Sequence, residues 1–327
     1  MHKLPLAAIL LLAGLIPARA IELGLPVACT IGEDCFVQQF ADMDSGPAAA
    51  DPFCGTAAYD GHDGIDIRVR SMRDMERGVP VIAAADGVVA GSRDEMPDRL
   101  LVSPADRETV AGKECGNGVL LQHPDGYETQ YCHMRLGSIA VKQGDEVKRG
   151  DKLGEIGASG LVEFPHMHLS VRKNGEKIDP MTGRSLSAGC LADAASAAPL
   201  FSGEVTKALG HGETGLLAAG LAGNVIDHSA LTVEGPPPTA TSSSQATIAW
   251  AWFTNMRAGD RIGFRLTAPD GSVVVEHVSD PVDRAKADYS GFAGKRGAPM
   301  PGSYEIKLSL VRDGAAILEK MLSVTID

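Results

Sequence analysis

His62-Asp63-Gly64-Ile65-Asp66-Ile67-Arg68-Val69-Arg70 is the stretch that decides how this chain folds. Ile65, Ile67 and Val69 alternate with Asp66, Arg68 and Arg70, a period of two that predicts a half-buried β-strand. A hundred residues on, Phe164-Pro165-His166-Met167-His168-Leu169-Ser170-Val171 repeats the pattern. There His166, His168 and Ser170 point one way, and Met167, Leu169 and Val171 point to the core. Each strand therefore sets polar side chains, Asp66 with two arginines on one and two imidazoles with Ser170 on the other, opposite an apolar face.

Outward from these strands the signals stay β. Pro80 to Val89 is apolar and broken by Asp86-Gly87, and Val119–Gln122 and Glu128–His133 flank Pro124-Asp125-Gly126; both read as hairpins. Gly144-Asp145, Gly150-Asp151 and Asn174-Gly175 mark further turns. Ser92 to Gly116 is a long polar interruption, of the length at which loops serve either as lids or as tolerated insertions. Residues 183–204 read as a linker rich in Ala, Gly and Ser, and Pro236-Pro237-Pro238 opens a loop. Strand-like segments at 246–254, 260–267, 272–278, 303–311 and 316–326 follow, spaced as in an immunoglobulin-like β-sandwich. The fold class expected is all-β in two domains: a β-sheet core over 61–182 and an accessory β-sandwich over 205–327. Trp250 and Trp252 share one face of a strand whose other face is also apolar, as expected for a buried central strand.

Residues 1–20 read as a signal peptide, with Lys3 ahead of an apolar run and Ala18-Arg19-Ala20 as a small-x-small cleavage site. The run is too short to span a bilayer comfortably, so no membrane anchor is expected after its removal, and the location expected is periplasmic or secreted. Without Lys3 and Arg19 the 30 basic residues become 28 against 42 acidic, a net charge of −14. That balance argues against nucleic acid as a partner. Six cysteines in an exported chain favour disulfides. The pairing expected is Cys29–Cys35, Cys115–Cys132 and Cys54–Cys190, with residues 21–60 a stapled N-terminal extension. A cysteine zinc site is the rival reading, but no Cys-x-x-Cys pair supports it.

Four histidines and one aspartate carry the chemistry. His62 and Asp66 lie at i and i+4 on one side of an extended segment, His166 and His168 project together from a strand face, and Tyr131-Cys132-His133 ends a hairpin. Histidine and carboxylate suit Zn²⁺, and catalytic zinc sites keep three protein ligands and an open position for water. A peptidase also needs a base near that water and a donor for the developing oxyanion. Three ligands plus two spare histidines meet those needs. His123, His211, His228 and His277 have no partner at ligand spacing and read as surface or capping residues. Tyr59, close to His62, reads as a packing residue.

The ordered set of motifs resembles the lysostaphin-like zinc metallopeptidases over residues 60 to 182: His-x-Gly-x-Asp at 62–66, Val79-Pro80-Val81 through Val88-Val89, Gly116-Asn117-Gly118, Tyr131-Cys132-His133-Met134, the glycine turns at 144 and 150, Gly157-Ala158-Ser159-Gly160 and His166-x-His168. Met167 stands where that family commonly has leucine, a volume-conserving change. The resemblance implies Zn²⁺ held by His62, Asp66 and His168, with His133 and His166 flanking the attacking water. It further implies an endopeptidase acting on the peptide cross-links or stem peptides of bacterial peptidoglycan. The alternative is a non-catalytic cell-wall-binding regulator that activates another peptidoglycan hydrolase. Such degenerate relatives lose ligands, whereas these are all present. A carrier module is a third reading, prompted by the Gly-Asp turns around 144–153, but it leaves the histidines without a purpose. The C-terminal domain is a candidate docking surface for a protein partner.

Overall fold

The computed structural model describes residues 21–327; the expected signal peptide lies outside them. The first domain is built on β1 (Phe36–Gln39), β2 (Ile65–Arg68), β3 (Pro80–Ile82), β4 (Gly87–Arg93), β5 (Asn117–Gln122), β6 (Tyr127–Met134), β7 (Glu146–Val147), β8 (Lys152–Glu155), β9 (His166–Lys173) and β10 (Glu176–Ile178). They form an eight-stranded sheet in the order β1-β2-β9-β6-β5-β4-β7, with β10 on β9 and with β3 and β8 paired separately. Every pairing is antiparallel, and β2, β9 and β6 lie side by side. This register brings the two motifs together: Asp66 is opposite His168, Arg68 is opposite His166, and Cys132 is opposite His168.

The apolar face behaves as its alternation predicts. Ile65, Ile67, Val69, Met167, Leu169 and Val171 are buried with Leu121, Tyr131 and Leu153 in one core. The other face departs from expectation, because Asp66, Arg68, His166, His168 and Ser170 are buried as well. A half-buried strand leaves its polar face to water, but here that face is the floor of a groove roofed by loops and by the second domain. Gly64 permits the packing: a Cβ there would lie 2.2 Å from the Leu169 carbonyl oxygen and 2.8 Å from the His168 ring.

The second domain contains β11 (Gly215–Ala222), β12 (Ala246–Met256), β13 (Arg261–Thr267), β14 (Val273–Val278), β15 (Lys286–Arg296), β16 (Gly302–Arg312) and β17 (Ala315–Ile326). These make a three-stranded sheet, β11-β12-β15, and a four-stranded sheet, β14-β13-β16-β17. The sheets close over Ala249, Ala251 and Phe253 of one and Ile262, Phe264, Leu266, Ile306 and Leu308 of the other, as the sandwich expectation requires. The opposite face of β12 is buried too: Trp250 and Trp252 pack with Leu217, Ile226, Leu231 and Phe36 of β1. The tryptophans are thus part of the join to the first domain rather than an exposed platform.

All three expected disulfides are present: Cys29–Cys35, Cys54–Cys190 and Cys115–Cys132. The polar 92–116 interruption is a strapped wall. Leu101 N–H donates to the Val162 carbonyl and Arg99 N–H to that of Ala158, while the Asp98 carboxylate accepts from Ala158 N–H and Leu136 N–H. With Cys115 bonded to Cys132, both ends of this loop are fixed beside the groove. No helix among the described residues is long and apolar enough to cross a membrane.

Candidate metal centre

Three atoms from the two motifs converge. His62 Nε2 lies 3.1 Å from Asp66 Oδ1 and 3.1 Å from His168 Nδ1, and His168 Nδ1 lies 2.8 Å from Asp66 Oδ1. Zinc bound to nitrogen and oxygen at about 2.0–2.1 Å in a tetrahedron separates its ligand atoms by about 3.3 Å. The observed triangle is close to that size.

The surroundings decide what the triangle can hold. His62 Nδ1 donates to the Phe40 carbonyl at 2.6 Å, which leaves Nε2 with a bare lone pair. His168 Nε2 lies 3.1 Å from Asp63 Oδ1, which orients the ring so that Nδ1 faces the cluster. The Asp63 carboxylate is in turn held by Lys177 Nζ at 2.8 Å. With each ring's proton assigned to its outer partner, three acceptors face one another in a buried space. That arrangement is stable only with positive charge among them. Burial opposes charge on His168, yet the hydrogen bonds and charges of Asp63 and Asp66 outweigh it and raise its pKa to about 9. For Asp66, burial favours the neutral acid, but His62, His166 and His168 hold its carboxyl well below the usual range. The site thus favours a cation, and the donor set, two imidazoles and a carboxylate, fits Zn²⁺.

His133 and His166 stand beside this cluster. Their ring centroids are 4.6 Å apart, and that of His133 is 6.0 Å from that of His168. His133, the last residue but one of β6, has φ of 61°, a left-handed backbone that non-glycine residues seldom adopt and that strained sites concentrate. Its N–H donates to the Cys115 carbonyl, its Nδ1 to the Ser159 carbonyl at 2.9 Å, and its neighbour Cys132 is disulfide-bonded. His166 Nδ1 donates to the Phe164 carbonyl at 2.8 Å, and its Nε2 is 3.6 Å from Asp66 Oδ1. Burial is the first cause that lowers both pKa values; neighbouring His168 adds to it in each case. Both rings are therefore neutral near pH 7 and present Nε2 as an acceptor.

All five residues singled out from sequence come together, and no other described residues offer a comparable cluster of histidine and carboxylate. Three functional contributors escaped the sequence reading. Asp63 orients His168, and only its place inside the His62–Asp66 motif could have hinted at that. Phe40 contributes a backbone carbonyl, which no side-chain pattern can announce. Tyr59, expected in the packing, is half exposed, and its ring lies 4.6 Å from that of His62. Conversely, His123 is not a surface residue: it is buried, with Nδ1 at 2.6 Å from the Asp86 carbonyl and Nε2 at 2.7 Å from Thr129 Oγ1. It pins a hairpin.

Tyr59 and Leu161 sit over the cluster and line a cavity on either side. One, of about 240 Å³, runs past His133 and His168 to Ser170 and Arg172. The other, of about 330 Å³, runs past Asp66 and His166 to Phe164 and ends at Ala287 of the second domain. His62 and His168 line the first cavity and Asp66 the second, so the three converging atoms lie between the two.

Residues 60–180 match the model of peptidase family M23, so the chain carries an M23 peptidase domain of the lysostaphin type. The curated relatives it resembles include the cell division protein DipM of Caulobacter vibrioides, 34% identical over 111 residues, which are 34% of this chain and 14% of that protein. Another is the peptidoglycan DD-endopeptidase ShyA of Vibrio cholerae, 32% identical over 120 residues, 37% of this chain and 22% of that one. The matched stretch is therefore less than a quarter of either relative. Among solved structures, the catalytic domain of lysostaphin from Staphylococcus simulans aligns with 27% identity over 37% of this chain and 77% of that domain, with a TM-score of 0.26.

Proposed function

We propose that this protein is a zinc-dependent metalloendopeptidase that hydrolyses the peptide cross-links or stem peptides of bacterial peptidoglycan, and that it works in the periplasm or outside the cell. The observation that carries the reading is the convergence of three acceptor atoms, from His62, Asp66 and His168, at the crossing of two open cavities. In this reading those residues hold Zn²⁺, and residues 61–182 carry the chemistry. Residues 205–327 form an accessory domain, available to a protein partner, whose Ala287 closes one end of the groove. The peptidoglycan substrate is supported by relatives named DD-endopeptidase and DD-carboxypeptidase/endopeptidase.

Zinc held by these residues would act as a Lewis acid and would lower the pKa of a water there toward neutrality. The protein does the rest. Asp63 and the Phe40 carbonyl hold the two ligand rings in register. His133 and His166, neutral and anchored through Nδ1, present Nε2 to the groove, where either can accept the proton of the attacking water, and the imidazolium so formed donates its Nε2–H to the oxygen that gains charge. The Tyr59 and Leu161 side chains hold the peptide down against that floor.

The test is metal content and turnover measured together. The purified mature chain is expected to contain one zinc and to release new amino groups from peptidoglycan. Zinc bound without turnover, on peptidoglycan and on defined cross-linked peptides alike, would leave the chain a non-catalytic wall-binding protein.

A further inference from the structure

The cavity on the His133 side contains a cation whose charge the described residues do not neutralise. Arg172 follows His168 and Ser170 along the same face of β9, and all three line this cavity. Its Nη2 donates to Gln130 Oε1 at 2.9 Å, and the Gln130 amide is steadied by Cys115 Sγ at 3.5 Å. Both contacts are uncharged, so most of the guanidinium's five N–H donors remain open. Among the described residues Arg172 has no carboxylate partner. Its cross-strand neighbour Glu128 accepts instead from Gln122 at 3.4 Å. The other charged groups of the cavity are Asp63, engaged with His168 and Lys177, and Glu114, whose carboxylate accepts from Gly112 N–H. In a chain with 42 acidic residues, an arginine in the groove without an acid beside it is a vacant anion receptor. Ser170 extends it, lining the same cavity from the same face of β9.

We propose that Arg172, with Ser170 beside it, receives a free carboxylate of the peptide substrate, so that the groove selects peptides bearing a carboxylate close to the bond at the metal cluster. The proposal rests on the hydrolytic reading above. His168 and Arg172 are four residues apart, about 13 Å along a strand at 3.2–3.4 Å per residue. Their side chains share one cavity, so the gap that a substrate spans is shorter, about one to three residues of extended peptide. A guanidinium matches a carboxylate in a fork of two parallel hydrogen bonds, which lysine cannot form. The selection is therefore for geometry as well as charge.

The experiment uses the zinc-loaded mature chain and a pentapeptide ending in D-alanyl-D-alanine, supplied as the free acid and as the terminal amide, with binding followed by calorimetry and cleavage by amine release. The wild-type protein is expected to prefer the acid by roughly 10- to 100-fold, the range of a charge-assisted hydrogen bond. Arg172→Ala and Arg172→Gln are expected to bring the ratio close to one at unchanged zinc content, and Arg172→Lys to recover part of it. A wild-type ratio near one, or a preference that survives in both the Ala and Gln variants, overturns the proposal. Preferential binding of the acid with neither peptide cut, and with peptidoglycan also left intact, upholds the receptor and removes the hydrolytic reading instead.

Discussion

Asp66 and Arg68 lie two residues apart on one face of β2, both buried and both charged, yet the protein treats them in opposite ways. Arg68 is fully satisfied from within. Its Nη1 donates to Asp288 Oδ2 and Gln38 Oε1, both at 2.9 Å, and Nη2 and Nε donate to the Arg70 and Val69 carbonyls. Its guanidinium is stacked between the Phe164 and Trp252 rings at 4.8 and 5.3 Å. Asp66 meets only imidazole nitrogens whose protons are directed elsewhere. Burial of a charge is therefore not the mark of a site. A buried charge closed by its own fixed counter-ion holds two domains together; one ringed by imidazoles leaves its balance to a proton or a bound cation.

The strongest way to break this contrast is to remove an acceptor. His62→Ala or His168→Ala is expected to abolish both zinc binding and peptidoglycan digestion, and chelation of the wild-type protein should do the same, reversibly on zinc addition. An active, metal-free His168→Ala chain would end the distinction drawn here. Next in size is His133→Ala, outside the triangle, which should lower turnover by about 10²- to 10⁴-fold while zinc stays bound. Unchanged digestion by that variant would show that His133 has no part in proton transfer.

On the closed side, Asp288→Ala leaves Arg68 buried without its counter-ion and strips Trp252 Nε1 of its acceptor. A loss of about 3–5 kcal/mol is expected, read from denaturant midpoints, and a change within about 0.5 kcal/mol would mean that the domain join is held by apolar packing alone.

Asp179 sharpens the comparison as a third case, a buried carboxylate given hydrogen bonds but no cation. Burial, aided by the nearby Asp51, raises its pKa to about 6 against the hydrogen bonds from Thr182 and Met181. The folded value lies above the unfolded one near 3.9, so the native state holds the proton more tightly between them. The resulting stabilisation is complete below about pH 4 and disappears as pH rises through about 6, roughly 3 kcal/mol in all. Relative to Asp179→Asn, the wild-type protein should lose stability between pH 4 and pH 7; a gain over that interval would reverse the sign argued here. The smallest effect is expected from Asp63→Ala, which should weaken zinc affinity about 10- to 100-fold by releasing the His168 ring, measured by competition with a chelator.

How much of this was legible in the sequence follows from how local each signal is. The face that carries the candidate ligands was readable because His62 and Asp66 share a motif, His166 and His168 share a strand, and alternation fixes which way they point. β15 was missed. The β15 run Lys286–Arg296 is charged and carries Gly291 and Gly294, a composition that argues against a strand. It is a strand because β12 pairs along its whole length. Gly294 is required there, since a Cβ would lie 2.2 Å from the Thr247 carbonyl oxygen. Asp63, Tyr59 and the unpaired Arg172 show no pattern of their own, because their roles depend on what the fold sets beside them.

The sequence by itself determined the chemistry: which residues offer nitrogen and oxygen, on which strand faces, and in what order. It did so because a period of two converts residue number directly into direction. Only the tertiary structure decided that Arg68 has an internal counter-ion, Asp288, while Asp66 is met by imidazoles alone. Asp288 is 220 residues from Arg68, and the Phe40 carbonyl that fixes His62 is a backbone atom 22 residues away. Partnership across such distances is set by how loops, strands and, for Asp288, the second domain pack on the sheet, and no local periodicity encodes it.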